Sequence, residues 1–152
     1  VKDTDIHENI QPVDILKLLE QISSPQPDKI KLIGKNILPY RGKPLALKRC
    51  LSNLIDNGVK YGSNVEVHVN DSAENLQILI KDNGPGIPEN EQEKIFTPFR
   101  RLHEDQQGHG LGLGISRNII DAHNGELHLI NRDEGGLEVI ISLPRIYTST
   151  LA

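Results

Sequence analysis

The sequence predicts an α+β sandwich, one mixed sheet covered by helices, and not a strict alternation of strand and helix. Two observations carry this. Three stretches repeat their apolar residues at helical spacing, and the alternating stretches that read as strands mostly follow one another instead of each being separated by a helix. The chain of 152 residues fits one domain, with 36% hydrophobic and 25% charged residues as in ordinary globular proteins.

Taken in order, Gln11 to Ile22 places Val13, Ile15, Leu16, Leu18, Leu19 and Ile22 at roughly helical spacing and stops before Ser23-Ser24-Pro25-Gln26-Pro27. Each proline there removes a donor and restricts its predecessor, so that stretch is a turn. Ile30 to Ile33 alternates as a short strand. Leu45 to Tyr61 is a helix with Pro44 near its first turn and Gly62 at its stop. Val65 to Val69 alternates strictly and Leu76 to Ile80 nearly so, hence two strands. Pro88 to Phe96 reads as a short helix, and Thr97 to Gln107 as a polar, aperiodic and mobile segment. Leu111 to His123 is a helix closed by Asn124-Gly125, and Glu126 to Asn131 and Leu137 to Leu143 are the last strands. Beyond Pro144, residues 145–152 read as a frayed tail of a single domain spanning residues 1–152.

Composition excludes several classes. No apolar run approaches the roughly 20 residues that span a bilayer, and Val1 to Asn9 is too polar for a secretory leader. A net charge of −4 gives no general attraction to nucleic acid or anionic membrane, so an anionic ligand needs local donors. The lone Cys50 cannot form an internal disulfide, which fits a reducing cytoplasm, and its place on a helix's core stripe reads as inert packing. No spacing among the six histidines forms a zinc motif; His68 and His128 alternate on strands and His123 ends a helix.

Three segments carry chemistry. Asn53, Asn57, Lys60 and Tyr61 fall within about a quarter of a helix circumference, beside the apolar stripe of Leu47, Cys50, Leu51, Leu54 and Gly58. Asparagine oxygens suit Mg²⁺, a lysine suits a phosphate, and a tyrosine offers a flat surface. Alone, that stripe reads more readily as a solvated helix edge. Lys81-Asp82-Asn83-Gly84-Pro85-Gly86-Ile87-Pro88 follows a strand; its glycines permit a sharp turn and close ligand approach, and Asp82 could accept from an exocyclic amine such as that of adenine. An ordinary Asp-Asn-Gly turn fits those residues equally well. Gly108-His109-Gly110-Leu111-Gly112-Leu113-Gly114 puts a glycine at every second position before a helix, so that bare amides and the helix terminus face an anion. The leucines between the glycines argue against a flexible linker. Neither G-x-G-x-x-G nor G-x-x-x-x-G-K-[ST] is present.

In this order the segments resemble the nucleotide-binding signatures of sensor histidine kinases. Asn53 to Tyr61 looks like the N box, Asp82 to Gly86 like the G1 box, Ile95-Phe96-Thr97-Pro98-Phe99 like the F box, and Gly108 to Gly114 like the G2 box. Ile119 to Gly125 and Gly135-Gly136 resemble the family's C-terminal portion, so the likeness runs from about Pro44 to Pro144. The resemblance implies the Bergerat two-layer α/β sandwich shared with DNA gyrase, MutL and the heat-shock chaperones. It implies ATP and Mg²⁺ as cofactors. Asn57 would hold the metal with Asn53 beside it, Lys60 would contact phosphate, Tyr61 would pack at the nucleotide, and Asp82 would read the adenine amine. Gly84, Gly86 and Ile87 would shape that pocket, and Gly108, His109, Gly110, Leu111 and Gly112 would complete the nucleotide contacts.

Thr97 to Gln107 would be the ATP lid, Arg101 would approach the terminal phosphate, and Phe96 and Phe99 would help dock a histidine-bearing dimerisation domain. A response regulator would then receive the phosphoryl group. Two positions depart from the pattern: His103 where many relatives carry aspartate, and His109 where the glycine run usually has a small residue; His109 could add a phosphate donor or point outward, the latter being favoured. The acceptor motif His-Glu-Leu-Arg-Thr-Pro is absent, so the chain should bind ATP without phosphorylating itself efficiently. The rival expectations are another ATPase or an anti-sigma-factor serine kinase on the same sandwich, and a non-catalytic nucleotide-binding module.

Overall fold

The computed structural model describes residues 8–35, 37–92 and 109–145, with side chains from residue 113 onward in the last stretch. The expected frayed tail beyond Arg145, the segment Thr97 to Gln107 with Arg101 and His103, Gly108, and the Phe96 and Phe99 pair lie outside the described residues, as do the side chains of His109 and Leu111.

Two strands that the apolar spacing does not announce open the fold. β1 (Gln11–Val13) pairs antiparallel with β3 (Tyr40–Gly42), Val13 lying opposite Tyr40. The expected helix from Gln11 therefore starts later, as α1 (Ile15–Ser23). Asp14 adopts an extended conformation and its Oδ1 accepts from the Lys17 amide at 3.0 Å, an N-cap that fixes the start, while Val13 points into the core from the strand. Between these elements lies β2 (Ile30–Ile33).

The remaining elements follow the sequence closely: α2 (Pro44–Tyr61), β4 (Val65–Asp71), β5 (Asn75–Asp82), α3 (Glu89–Gln92) within the helix expected from Pro88 to Phe96, whose residues 93–96 lie outside the described residues, α4 (His109–Ala122), β6 (Glu126–Asn131) and β7 (Leu137–Pro144). The five-stranded sheet has the order β2-β4-β5-β7-β6, parallel only between β2 and β4. This is the expected two-layer α+β sandwich. Strand alternation puts Val65, Val67, Leu76, Ile78, Ile80, Val139 and Ile141 on the helix-covered face, all 6% exposed or less. α2 packs on β4 and β5 and against α4, α1 on β2, and α4 on β6.

Hydrogen bonds from distant segments fix the helices. The first turn of α2 has no cap from its own Lys43 side chain. Instead the Glu8 carboxylate accepts from Leu45 N at 2.7 Å and Ala46 N at 3.1 Å, while His123 Nε2 accepts from Lys43 N at 3.1 Å. Pro44 has no amide hydrogen, so every donor of that turn is satisfied. α2 and α4 are tied where Ser116 Oγ donates to Cys50 O at 3.3 Å and Cys50 Sγ reaches Ser116 O at 3.7 Å. Burial pushes the Cys50 thiol up to about 12, as an inert packing residue requires.

Arg145, expected in the frayed tail, is anchored. Its guanidinium pairs both oxygens of Asp71 at 2.9 and 3.0 Å and donates to the carbonyls of Pro39 and Leu38, each at 2.9 Å. Its backbone amide continues to Glu74 O at 2.9 Å. Nothing in the residue's position after Pro144 signals this, because the partners lie about seventy and a hundred positions away in sequence.

Candidate functional site

The C-terminal half of α2, the ends of β5 and β7 and the loop after β5 enclose a cleft of about 270 Å³. The helix contributes Leu54, Asn57, Gly58 and Tyr61. Ile80, Asp82, Leu137 and Val139 form the sheet side, Pro85 to Pro88 the loop side, and Leu113 the edge from α4. The wall is apolar with few polar groups, the usual make-up of a small-molecule site.

Each polar group has a distinct environment. Asn57 Nδ2 is buried without a hydrogen-bond partner among the described residues. A buried unsatisfied amide is costly, and an asparagine can present either end of its amide by a half-turn. Here that amide lines the cleft, where a ligand would complete it. Asp82 is 8% exposed, and its Oδ1 accepts from Gly84 N at 2.8 Å and Leu137 N at 3.2 Å. Its Oδ2 has no hydrogen-bond partner among the described residues, so one carboxylate oxygen is anchored and the other is available to a ligand. Tyr61 is half-buried in the helix-side wall, with Lys60 Nζ 5.5 Å from its ring centroid.

Of the residues singled out in the sequence, the fold brings Asn57, Tyr61, Asp82, Gly86 and Ile87 into the lining of one cleft. Asn53 sits one turn earlier on α2, half-buried, and Lys60 is exposed at the helix end; neither lines the cleft. Gly84 also stands behind the wall, where a Cβ would come 2.7 Å from the Tyr61 carbonyl oxygen. The glycine run differs from the reading as a loop before a helix: α4 already begins at His109, so Gly110, Gly112 and Gly114 lie inside its opening turns. Glycine costs about 1 kcal/mol in a helix interior relative to alanine, and burial of Leu113, Ser116, Ile119 and Ile120 against the core offsets that cost. The first-turn amides of such a helix still lack intrahelical acceptors, which keeps an anion-binding reading available.

The sequence did not single out the bracket behind the cleft. Asn131, at the end of β6, receives Ile87 N on Oδ1 at 2.9 Å and donates Nδ2 to Ile87 O at 2.8 Å. Arg132 Nη1 donates to Asp82 O at 2.6 Å. Gly136 has φ +103, and a Cβ there would collide with that same Asp82 carbonyl, so the β6–β7 turn needs glycine to lie against the end of β5. A polar residue ending a strand is common, and only the three-dimensional pairing marks Asn131 and Arg132.

Residues 42–146 match the family of histidine kinase-, DNA gyrase B- and HSP90-like ATPases. The chain belongs to this ATPase family. It is 49% identical over 148 residues to the sensor histidine kinase GtrS of Pseudomonas aeruginosa, covering 96% of this chain and 31% of GtrS. It is 41% identical over 105 residues to the sensor protein KdpD of Escherichia coli, covering 64% of this chain and 12% of KdpD. The chain thus spans under a third of the length of these two relatives. Among solved structures, a mycobacterial sensor histidine kinase, MprB, superposes with a TM-score of 0.76 at 26% identity over 88% of this chain and 97% of that one. The catalytic domain of histidine kinase ThkA gives 0.77 at 26% identity over 90% and 98%. Among the described residues of this ATPase-family chain, no helix is long and apolar enough to cross a membrane.

Proposed function

We propose that the chain is the ATP-binding catalytic domain of a sensor histidine kinase. It would hold Mg-ATP in the cleft between α2 and the loop after β5, for transfer of the γ-phosphoryl group to a histidine on a separate dimerisation domain and onward to a response regulator. The observation that carries this reading is convergence: an unsatisfied buried Asn57 amide, the Tyr61 ring and the free oxygen of Asp82 share one largely apolar cleft beside the opening of α4. The apolar slot suits a purine, and Asp82 Oδ2 is an acceptor for the adenine amine at its inner end.

Asn57 would hold Mg²⁺, which when bound neutralises charge on the phosphates. Lys60 and Asn53, at the rim of the cleft on the same helix, would serve the phosphates as these extend toward solvent. Arg101 at the terminal phosphate, Gly108 to Gly112 at the phosphates, and Phe96 and Phe99 toward the dimerisation domain are roles supported by the sequence motifs. In the transfer, the bond from the γ-phosphorus to its bridging oxygen breaks and a P–N bond to the acceptor imidazole forms. The part of this chain is to position and neutralise charge. A cytoplasmic location is the reading that the single buried cysteine supports.

Calorimetry with Mg²⁺ and a non-hydrolysable ATP analogue on the wild type and Asn57→Ala tests this. The wild type should bind, and the variant should lose most of the Mg²⁺-dependent part of its affinity. Equal binding by both removes the metal assignment, and a folded wild type indifferent to adenine nucleotides removes the kinase reading. Adding a histidine-bearing helical domain and assaying for acid-labile phosphohistidine separates a histidine kinase from a serine kinase on the same sandwich.

A further inference from the structure

The cleft wall from Pro85 to Pro88 contains no helix or strand, yet it must hold its shape for the site to select a ligand. Its central residue, Ile87, is 4% exposed, so its backbone groups need protein partners. Side chains supply all of them. Asn131 Oδ1 takes the Ile87 amide at 2.9 Å, and the Ile87 carbonyl receives Asn131 Nδ2 at 2.8 Å and Gln92 Nε2 at 3.0 Å. The two Asn131 bonds reproduce, with one side chain, the donor–acceptor pair that a neighbouring strand would make. The preceding Gly86 has φ +77 and lies so close to Asn131 Oδ1 that a Cβ would come within 2.5 Å.

We propose that Asn131 is a positioning residue for the nucleotide: it fixes the Gly86–Ile87 wall at the distance from Asp82 that one purine requires, and so sets affinity and base selectivity without touching the ligand. The proposal rests on the adenine-nucleotide reading of the cleft. Asn131 as a whole is exposed, so shortening it opens no cavity in the core. Its loss acts on the wall, because the Ile87 amide is left without an acceptor and must shift to find water, while Gln92 still serves the carbonyl. Asp82 keeps its own bonds to Gly84 and Leu137, so the wall moves relative to a fixed base reader.

The test compares wild type, Asn131→Ala and Asn131→Asp, each well below its unfolding temperature, by calorimetry with Mg²⁺ and non-hydrolysable ATP and GTP analogues. The alanine variant should bind the ATP analogue about tenfold more weakly, the order of affinity that one hydrogen bond lost from the wall is worth, and its ATP-over-GTP ratio should fall. The aspartate variant keeps the acceptor for the Ile87 amide and loses only the donor, so it should lose less; it also carries the test if the alanine variant fails to fold. Arg145→Lys serves as a control that lowers stability at a residue outside the cleft lining, and it should leave affinity unchanged. Wild-type affinity and selectivity in folded Asn131→Ala overturn the proposal, as does an equal loss in Arg145→Lys, which would make the effect general softening. A wild type that binds no nucleotide is a different outcome and strikes at the kinase reading itself.

Discussion

Replacing Asp82 by asparagine separates the two functions of its carboxylate. Asp82→Ala would remove both at once, stranding the amides of Gly84 and Leu137 along with any bond to the base. In Asp82→Asn the amide oxygen can stay where Oδ1 is and keep both donors, at 2.8 and 3.2 Å in the native protein. Each bond then falls from a charge-assisted strength of about 1.5–3 kcal/mol to a neutral one of about 0.5–1.5 kcal/mol, so folding loses roughly 2–3 kcal/mol in all. For a domain of this length that lowers the melting temperature by about 4–12 °C, which leaves the protein folded at room temperature.

The effect on the ligand has the opposite chemistry. The new NH₂ group takes the place of Oδ2, so the cleft presents a donor where adenine also presents one. Losing a charge-assisted bond of about 1.5–3 kcal/mol weakens ATP binding roughly 10- to 100-fold. Guanine carries a carbonyl oxygen at the equivalent position and can accept from the amide, so GTP should lose nothing on this account or gain. Calorimetric titration of both proteins with both Mg-nucleotides, alongside urea melts, gives the two quantities independently. An Asp82→Asn protein that is folded and keeps the wild-type preference for ATP would falsify the assignment of Asp82 as base reader.

Two further outcomes concern the frame around the cleft. Arg145→Lys should destabilise the fold by about 2–4 kcal/mol, because lysine cannot span the Asp71 carboxylate and the Leu38 and Pro39 carbonyls together and leaves a largely buried acid underpaired; a urea midpoint within error of wild type contradicts that account. His123 should make stability pH-dependent. Desolvation holds its pKa below the ordinary 6.5, outweighing the Ile119 carbonyl that accepts from Nδ1, and the neutral ring is the form that can accept from Lys43 N. The unfolded chain therefore takes up the proton first as pH falls, so the stability from this group is complete above about pH 6.5 and declines toward the lowered native value. Denaturation of wild type and His123→Gln between pH 5 and 8 should show a steeper acid loss in the wild type; parallel profiles refute the linkage.

The legible parts of this fold were those where one short-range pattern decides the outcome. α2 has a proline at its start, a glycine at its stop and an apolar stripe between, and β4 and β5 alternate with a period of two, so local sequence suffices. β1 and β3 are three residues each, too short for a period, and exist because they pair with one another across the intervening α1 and β2. Within the site, Asn57, Tyr61 and Asp82 were found because they recur in ordered motifs. Lys60 and Asn53 share those motifs yet do not line the cleft, since a helix face spanning about a quarter-turn holds both a wall and its margin, and Gly84 packs against the Tyr61 carbonyl behind the wall. Asn131 and Arg132 escaped because their partners, Ile87 and Asp82, lie some fifty positions earlier.

These contacts imply a division of labour between the two ends of α2. The N-terminal turn is held by Glu8 from the entering chain and His123 from the end of α4, whereas the C-terminal turns carry Asn57 and Tyr61 with an amide left unsatisfied. A helix is rigid along its axis, so saturating the donors at one end fixes the position of the unsatisfied group at the other. The loop side from Pro85 to Pro88 has no such element and depends on a side chain reaching backbone, Asn131 on Ile87, with Arg132 bonded to Asp82 O at the strand end beside it. The cleft therefore has a helix side and a sheet side set by regular structure, and a loop side set by a few polar contacts. Substitutions at Asp82 and on the loop side should tune which base is held, while those on the helix side should decide whether a nucleotide is held at all.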